Sequence, residues 1–173
     1  MDEVIEPRAT QEEMTNFIET ELTESLKGLP TRTTQFGRFD KGLAYTILMK
    51  YYMHEKNWAK AEECGRELLK AEYGYGLMDR YADIFTLENE GNKEIIFACT
   101  EERGTNLQLW HDHALPGNYP TKNASIQKWD GYKVPWPFYR TFEEGDDRLS
   151  VLVGEYVGTD GVLFNEESDI AKH

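Results

Sequence analysis

Positive charge is scarce in this chain: 19 lysines and arginines stand against 32 aspartates and glutamates, a formal charge of −13. No basic cluster offsets that field locally, and it repels phosphate backbones, which argues against nucleic acid as a partner. Cysteine is scarcer still. Cys64 and Cys99 are too few for a disulfide scaffold and wrongly spaced for a zinc site. One lies in an expected helix and the other near the end of an expected strand, so both read as free buried thiols. Long apolar runs are missing as well, since no window approaches the roughly 18–20 apolar residues that a membrane-spanning helix requires. The opening MDEVIEPRATQEEM has neither the basic nor the apolar region of a secretory signal, so export information is expected outside these residues. No G-x-S-x-G, phosphate-binding loop or H-E-x-x-H pattern occurs. No cofactor and no metal is expected.

What is present suits one core, because 173 residues with 39% hydrophobic content fall in the size range of one domain. Thr10-Gln11-Glu12-Glu13 is a capping-box pattern that starts a helix. Met14, Phe17, Ile18, Leu22 and Leu26 then recur at helical spacing until Gly28 and Pro30 end it. A second helix over 40–54 carries Leu43, Ala44, Ile47, Leu48, Tyr51 and Tyr52 on one wide face. Asn57 makes the turn. Trp58, Ala61, Cys64, Leu68 and Leu69 mark a third helix reaching toward Gly74 and Gly76, so the two form an antiparallel hairpin. Tyr52 and Ala61 fit the spacing of a tetratricopeptide (TPR) repeat, whereas Met49 and Gly65 depart from it and no second copy follows.

From Tyr73 the character changes. Tyr81, Ile84 and Phe85 suggest a short helical turn, Asn89-Glu90-Gly91-Asn92 a polar turn, and Ile95-Ile96-Phe97 a strand. Helical periodicity then lapses until Pro137, behind which Phe138 and Phe142 predict a short helix running to Glu144 and stopped by Gly145. Residues 151–157 read as a strand, 158–161 as a tight turn and 162–164 as a return strand, with a polar, frayed end over 165–173. The expected fold is mostly α. It has a helical part with one TPR-like hairpin (1–72), a short helix plus strand (73–104), and a loop-rich aromatic region with a short helix and strand hairpin (105–173).

Four motifs carry a family resemblance. Ala9-Thr10 through Phe17-Ile18-Glu19 to Leu29-Pro30 resembles the "R-A-T/S … F-I-E-x-D-L … L-P" segment of SusD/RagB proteins. Gly37-Arg38, Tyr51-Tyr52 and Asn57-Trp58-Ala59-Lys60-Ala61 resemble that family's hairpin. Gly74-Tyr75-Gly76-Leu77, Tyr81, Ile84-Phe85, Asn89-Glu90 and Glu94-Ile95-Ile96-Phe97 resemble its "G-Y-x-L … Y-x-x-L-F … N-E … E-I-I-F" block in order and spacing. Phe142 to Arg148 is similar to "F-x-x-G-D-x-R". The resemblance spans 7–157 and implies one incomplete SusD-like domain, since members are several hundred residues longer. It further implies a surface-exposed outer-membrane lipoprotein of Bacteroidetes in polysaccharide utilisation. Such a protein binds glycan and delivers it to a SusC-like TonB-dependent transporter, with a lipid anchor absent from this chain.

Several clusters bear on chemistry. The pairs Glu101-Glu102, Glu143-Glu144 and Asp146-Asp147 could act as a hydrolase's two carboxylates only if their pKa values were split across a cleft. Among 32 acidic residues they read as solvated surface, and Asp146 with Arg148 as a local ion pair. His111-Asp112-His113 could offer a metal two imidazoles, but no further ligand pair sits at the right spacing, so it reads as polar loop able to hydrogen-bond a sugar. Between 105 and 142 lie Trp110, Tyr119, Trp129, Tyr132, Trp136, Phe138, Tyr139 and Phe142, with three of the chain's four tryptophans among them. Rigid aromatic faces stack on sugar rings, and flanking Asn106, Asp112, Asn123 and Lys128 supply hydroxyl partners. Core packing competes with that reading. Phe138 and Phe142 are expected in the core, while Trp110, Trp129 and Tyr132 stand open between core and ligand. The candidate glycan site is therefore Trp110, Trp129, Tyr132, Tyr119, Asn106 and His113, with no catalytic residue. The alternative is a helical-repeat protein-interaction scaffold without a ligand site, and a glycoside hydrolase comes third.

Overall fold

The computed structural model describes residues 7–101, 110–123 and 125–170. It contains helices α1 (Gln11–Gly28), α2 (Lys41–His54), α3 (Trp58–Leu68), α4 (Trp110–Ala114), α5 (Trp136–Tyr139) and α6 (Glu166–Ile170). Strands β1 (Tyr156–Val157) and β2 (Leu163–Phe164) form an antiparallel pair in which Tyr156 faces Phe164. The fold is mostly α. Among the described residues no helix is long and apolar enough to cross a membrane. The chain divides into two compact units: Met1–Met78 with Gly91–Thr100, and Asp79–Glu90 with Glu101–His173.

The first unit is built by its caps. Thr10 Oγ1 accepts the Glu13 amide at 3.2 Å and the Glu13 carboxylate accepts the Thr10 amide at 2.8 Å, so two orphan donors of α1 are satisfied reciprocally. Asp40, itself buried, accepts the Leu43 amide at 3.0 Å to start α2 and the Thr33 amide at 3.1 Å to hold the preceding loop. Asn57 caps α3 through the Lys60 amide at 3.3 Å, and Lys56 takes a positive φ of 58° in the turn before it. Leu48, Tyr52, Ala61 and Cys64 form the core between α2 and α3, with Leu22 and Leu26 of α1 packed on it.

Apolar stripes are narrower than their periodicity predicts. Phe17, Ile47, Trp58 and Leu69 lie on expected packing faces yet are exposed, because three helices cover only the centre of each face. Beyond α3 the chain closes on Tyr73, the most buried side chain, which stacks on Tyr75 at 6.1 Å. The Arg32 guanidinium sits 4.7 Å above the Tyr75 ring and donates to the Tyr73 and Gly74 carbonyls at 2.9 and 3.1 Å.

Several expected elements take another form. Ile95-Ile96-Phe97 is not a strand, because among the described residues the Gly76 amide to the Lys93 carbonyl (3.1 Å) is a lone rung and a turn from the Ile95 amide to the Asn92 carbonyl precedes the run. Cys99 is exposed, and only Cys64 is buried. The helix expected to reach Glu144 stops at Tyr139, where the Thr141 hydroxyl and amide both turn back to the Phe138 carbonyl. The strand expected over 151–157 shortens to two residues because Asp147–Val151 winds into a 3₁₀ turn. Asp146 nucleates that turn by accepting the Arg148 amide at 3.0 Å. α6 occupies the tail expected to fray, started by Asn165 accepting the Ser168 amide at 3.0 Å.

Candidate functional site

The second unit gathers most of the aromatic residues that the sequence scatters over 110–164. α4 leaves its last carbonyls free for partners, and the segment 129–132 folds back to supply them. The Trp129 amide donates to the Asp112 carbonyl at 2.7 Å, the Gly131 and Tyr132 amides to that of His113 at 2.7 and 3.0 Å, and the Asp130 amide to that of Leu115 at 3.1 Å. Asp130 makes the reversal possible at a φ of 55°, a left-handed conformation its short polar side chain tolerates. A β-carbon on Gly131 would stand 3.3 Å from the His113 carbonyl, so a bulkier residue would push the segment away.

These bonds bring four expected site residues together. Trp129 meets the His113 ring edge-on at 4.6 Å, His113 lies 5.5 Å from Tyr132, and Tyr132 stacks on Trp110 at 4.9 Å and 22°. The result is one continuous aromatic surface. Trp110 is 65% exposed, Tyr132 54% and Trp129 46%, so the rings cover one another only in part. The Trp129 indole N–H donates to the Gln127 side chain at 3.1 Å, which fixes its plane.

Tyr119, by contrast, stands on another wall. It meets Tyr156 at 5.0 Å, Tyr156 stacks on Phe164 at 5.0 Å, and Phe164 lies 6.4 Å from Trp136. Between the two aromatic groups opens a cavity of about 730 Å³, lined by Trp110, Tyr119, Tyr132, Trp136, Tyr156 and Phe164 among others. That volume falls within the roughly 300–1,000 Å³ of small-molecule sites. Trp129 and His113 lie outside its lining. Asn106 lies outside the described residues, as do Glu102 and the His111 side chain.

Several polar groups at the cavity are tied to neighbours. Asn118 accepts the Tyr156 hydroxyl at 2.8 Å, and Asp169 accepts the Trp136 indole N–H at 2.8 Å. Lys133 pairs with Asp130 at 2.9 Å, and that bond holds its ammonium above the ordinary lysine value. Burial pushes the Tyr156 hydroxyl above its usual range, with the Asp130 and Asp160 carboxylates adding to the shift. Tyr156, Phe164 and Asp169 line the cavity but are missed by sequence reasoning, because the hairpin and tail that bear them carry no ligand motif.

Of the carboxylate pairs, Asp146-Asp147 is engaged in structure. Asp146 grips the Arg148 guanidinium, which holds its carboxyl down at about 2, and Asp147 accepts the Tyr81 amide at 2.7 Å. Glu143 and Glu144 are exposed. Among the described residues no three His, Cys, Asp or Glu side chains converge as a metal would require. Phe138, expected in the core, is exposed: with α5 only one turn long, it packs edge-on against Phe142 at 5.6 Å instead. Arg148 covers the other side of Phe142, 5.0 Å from its centre.

Compared by sequence, the chain matches no family model and no curated protein. Compared by structure, it is similar to a SusD-like protein from Bacteroides fragilis, at 26% identity and a TM-score of 0.51. The match takes in 60% of this chain and 21% of that one, so this chain spans about a fifth of the longer protein's length. The likeness supports a SusD-like fold, in keeping with the helical hairpin of the first unit.

Proposed function

We propose that this chain is the glycan-capturing part of a SusD/RagB-type protein, binding oligosaccharide without cleaving it. The whole protein would be a surface lipoprotein of the outer membrane that passes its ligand to a SusC-like TonB-dependent transporter. One observation carries the reading. Trp110 and Tyr132 form an exposed stacked pair at the rim of an aromatic cavity, continued outward by His113 and Trp129. A large exposed aromatic surface is unfavourable to leave in water, and flat rigid rings are what the apolar face of a sugar requires. The SusD-like fold supports the same reading, because the four sequence motifs resemble the family whose name the structural neighbour carries. Non-catalytic binding fits a cavity whose two lining carboxylates, Asp169 and Asp130, are engaged with the Trp136 indole and the Lys133 ammonium.

A panel of immobilised oligosaccharides tests the proposal. The chain should retain at least one glycan class with modest affinity, lose it several-fold on Trp110→Ala, and release no reducing ends on prolonged incubation. Retention unaffected by Trp110→Ala and Tyr132→Ala together would move any binding elsewhere. Sustained release of reducing sugar would make the chain a hydrolase.

A further inference from the structure

The charged groups around the cavity bear on which glycans it can hold, given the glycan-binding reading on which this inference rests. Its described lining contains three ionisable side chains of fixed charge: Asp130, Lys133 and Asp169. No arginine is among them, although arginine is the usual partner for carboxylate and sulfate groups because its planar fork binds them bidentately. Lys133 is already neutralised by Asp130 at 2.9 Å and feels Asp169 as a further negative neighbour. The Asp169 carboxylate is half-buried and oriented by the Trp136 indole at 2.8 Å. Two further cations among the described residues are committed as well. Lys128 donates to the Tyr119 carbonyl at 2.7 Å outside the lining, and Arg140 pairs with Glu166 at 3.5 Å.

We propose that the cavity accepts uncharged oligosaccharides and rejects those bearing uronate or sulfate groups. An acidic sugar entering between Tyr132 and Tyr156 would shed water from its charge, meet a net negative wall and find no free cation in the described lining. A neutral sugar would stack on the same rings and offer its hydroxyls to Asp130, Asp169 and Asn118 as donors, a role that carboxylates favour. The interaction is short-ranged, since charges beyond about 8 Å are largely screened at physiological salt. Selection therefore belongs to these named groups and not to the chain's overall charge.

The test uses the full chain and matched pairs of oligosaccharides: uronate-bearing ligands and their carboxyl-reduced counterparts of the same linkage and length, alongside a broad glycan panel. In every pair that binds, the neutral member should bind at least tenfold more tightly. Asp169→Asn keeps an acceptor for the Trp136 indole while removing the charge, and Asp130→Asn releases the Lys133 ammonium. Each should shrink the neutral-to-acidic ratio several-fold. An acidic member that binds as tightly as its neutral twin would overturn the selection while leaving glycan binding intact, and so would a ratio unmoved by both variants. Failure to bind any member of the pairs or of the wider panel would overturn both the selection and the glycan reading.

Discussion

Trp110 and Trp129 differ in what holds them, and the difference sets what their removal should do. Trp110 is 65% exposed and leans on Tyr132, so Trp110→Ala should cost at most about 1 kcal/mol of stability while weakening glycan retention several-fold. Trp129 is tied by its indole N–H to Gln127 and by an edge-on ring contact to His113, so Trp129→Ala should lower the Tm as well as the affinity. Paired thermal melts and affinity electrophoresis separate the two patterns. At Tyr73 the chemistry is that of a buried phenol, whose ionisation burial and the Glu67 carboxylate both push well above the ordinary value of 10.0. The folded state therefore favours the neutral ring. Its contribution is whole below pH 10.0 and is lost as pH rises beyond it, since the unfolded chain ionises first. Melts from pH 8 to 11 should show stability falling at the alkaline end, and Tyr73→Phe should flatten that fall. Tyr45, Tyr52 and Tyr75 shift the same way, so some slope should remain. The aromatic density around Trp110, Trp129 and Tyr132 is legible from residue type alone. Their meeting is not, because it depends on the positive φ of Asp130 and on amides reaching the carbonyls of α4, neither of which leaves a period in the sequence.

Elements whose ends are written in side chains are the readable ones. Thr10 with Glu13, Asp40 and Asn57 each cap a helix whose apolar spacing runs for several turns, and α1, α2 and α3 begin where those caps stand. Short elements are opaque for a physical reason: four or five residues cannot display a 3.6-residue period, so α4 leaves no trace in the sequence and α5 reads as running on to Glu144. Apolar runs at 95–97 and 151–157 have strand composition, but a strand needs a partner edge and a composition cannot supply one. Leu48 tests the most legible of these elements. It is buried at 3% between α2 and α3, so Leu48→Ala should cost about 2–5 kcal/mol through the cavity it leaves. Its sequence neighbour Ile47 is 42% exposed, and Ile47→Ala should stay below about 1 kcal/mol in the same urea titration. Equal costs at the two positions would mean that the face of α2 is covered differently from the arrangement described.

At the scale of the whole molecule the two units are interleaved along the chain, since 79–90 belongs with 101–173 and 91–100 with 1–78. Neither unit is a continuous stretch. The 79–90 segment is anchored in its unit by the Tyr81 amide on the carboxylate of Asp147, the first residue of the 3₁₀ turn, at 2.7 Å. A fragment of residues 101–173 should therefore lack a cooperative melt, and adding residues 1–100 in trans should restore part of it. Circular dichroism melts of the fragment, the mixture and the whole chain decide the matter. The same interleaving imposes an order on biogenesis. During synthesis the 79–90 segment leaves the ribosome long before its partner turn ending at Val151, 61 residues beyond Glu90. At about 5–20 residues per second that is an interval of about 3–12 s. Through it Tyr81 and Ile84, which the finished unit covers in part, stay open to any holdase chaperone that samples apolar segments, so a slowed ribosome or a missing chaperone would be felt first at this segment.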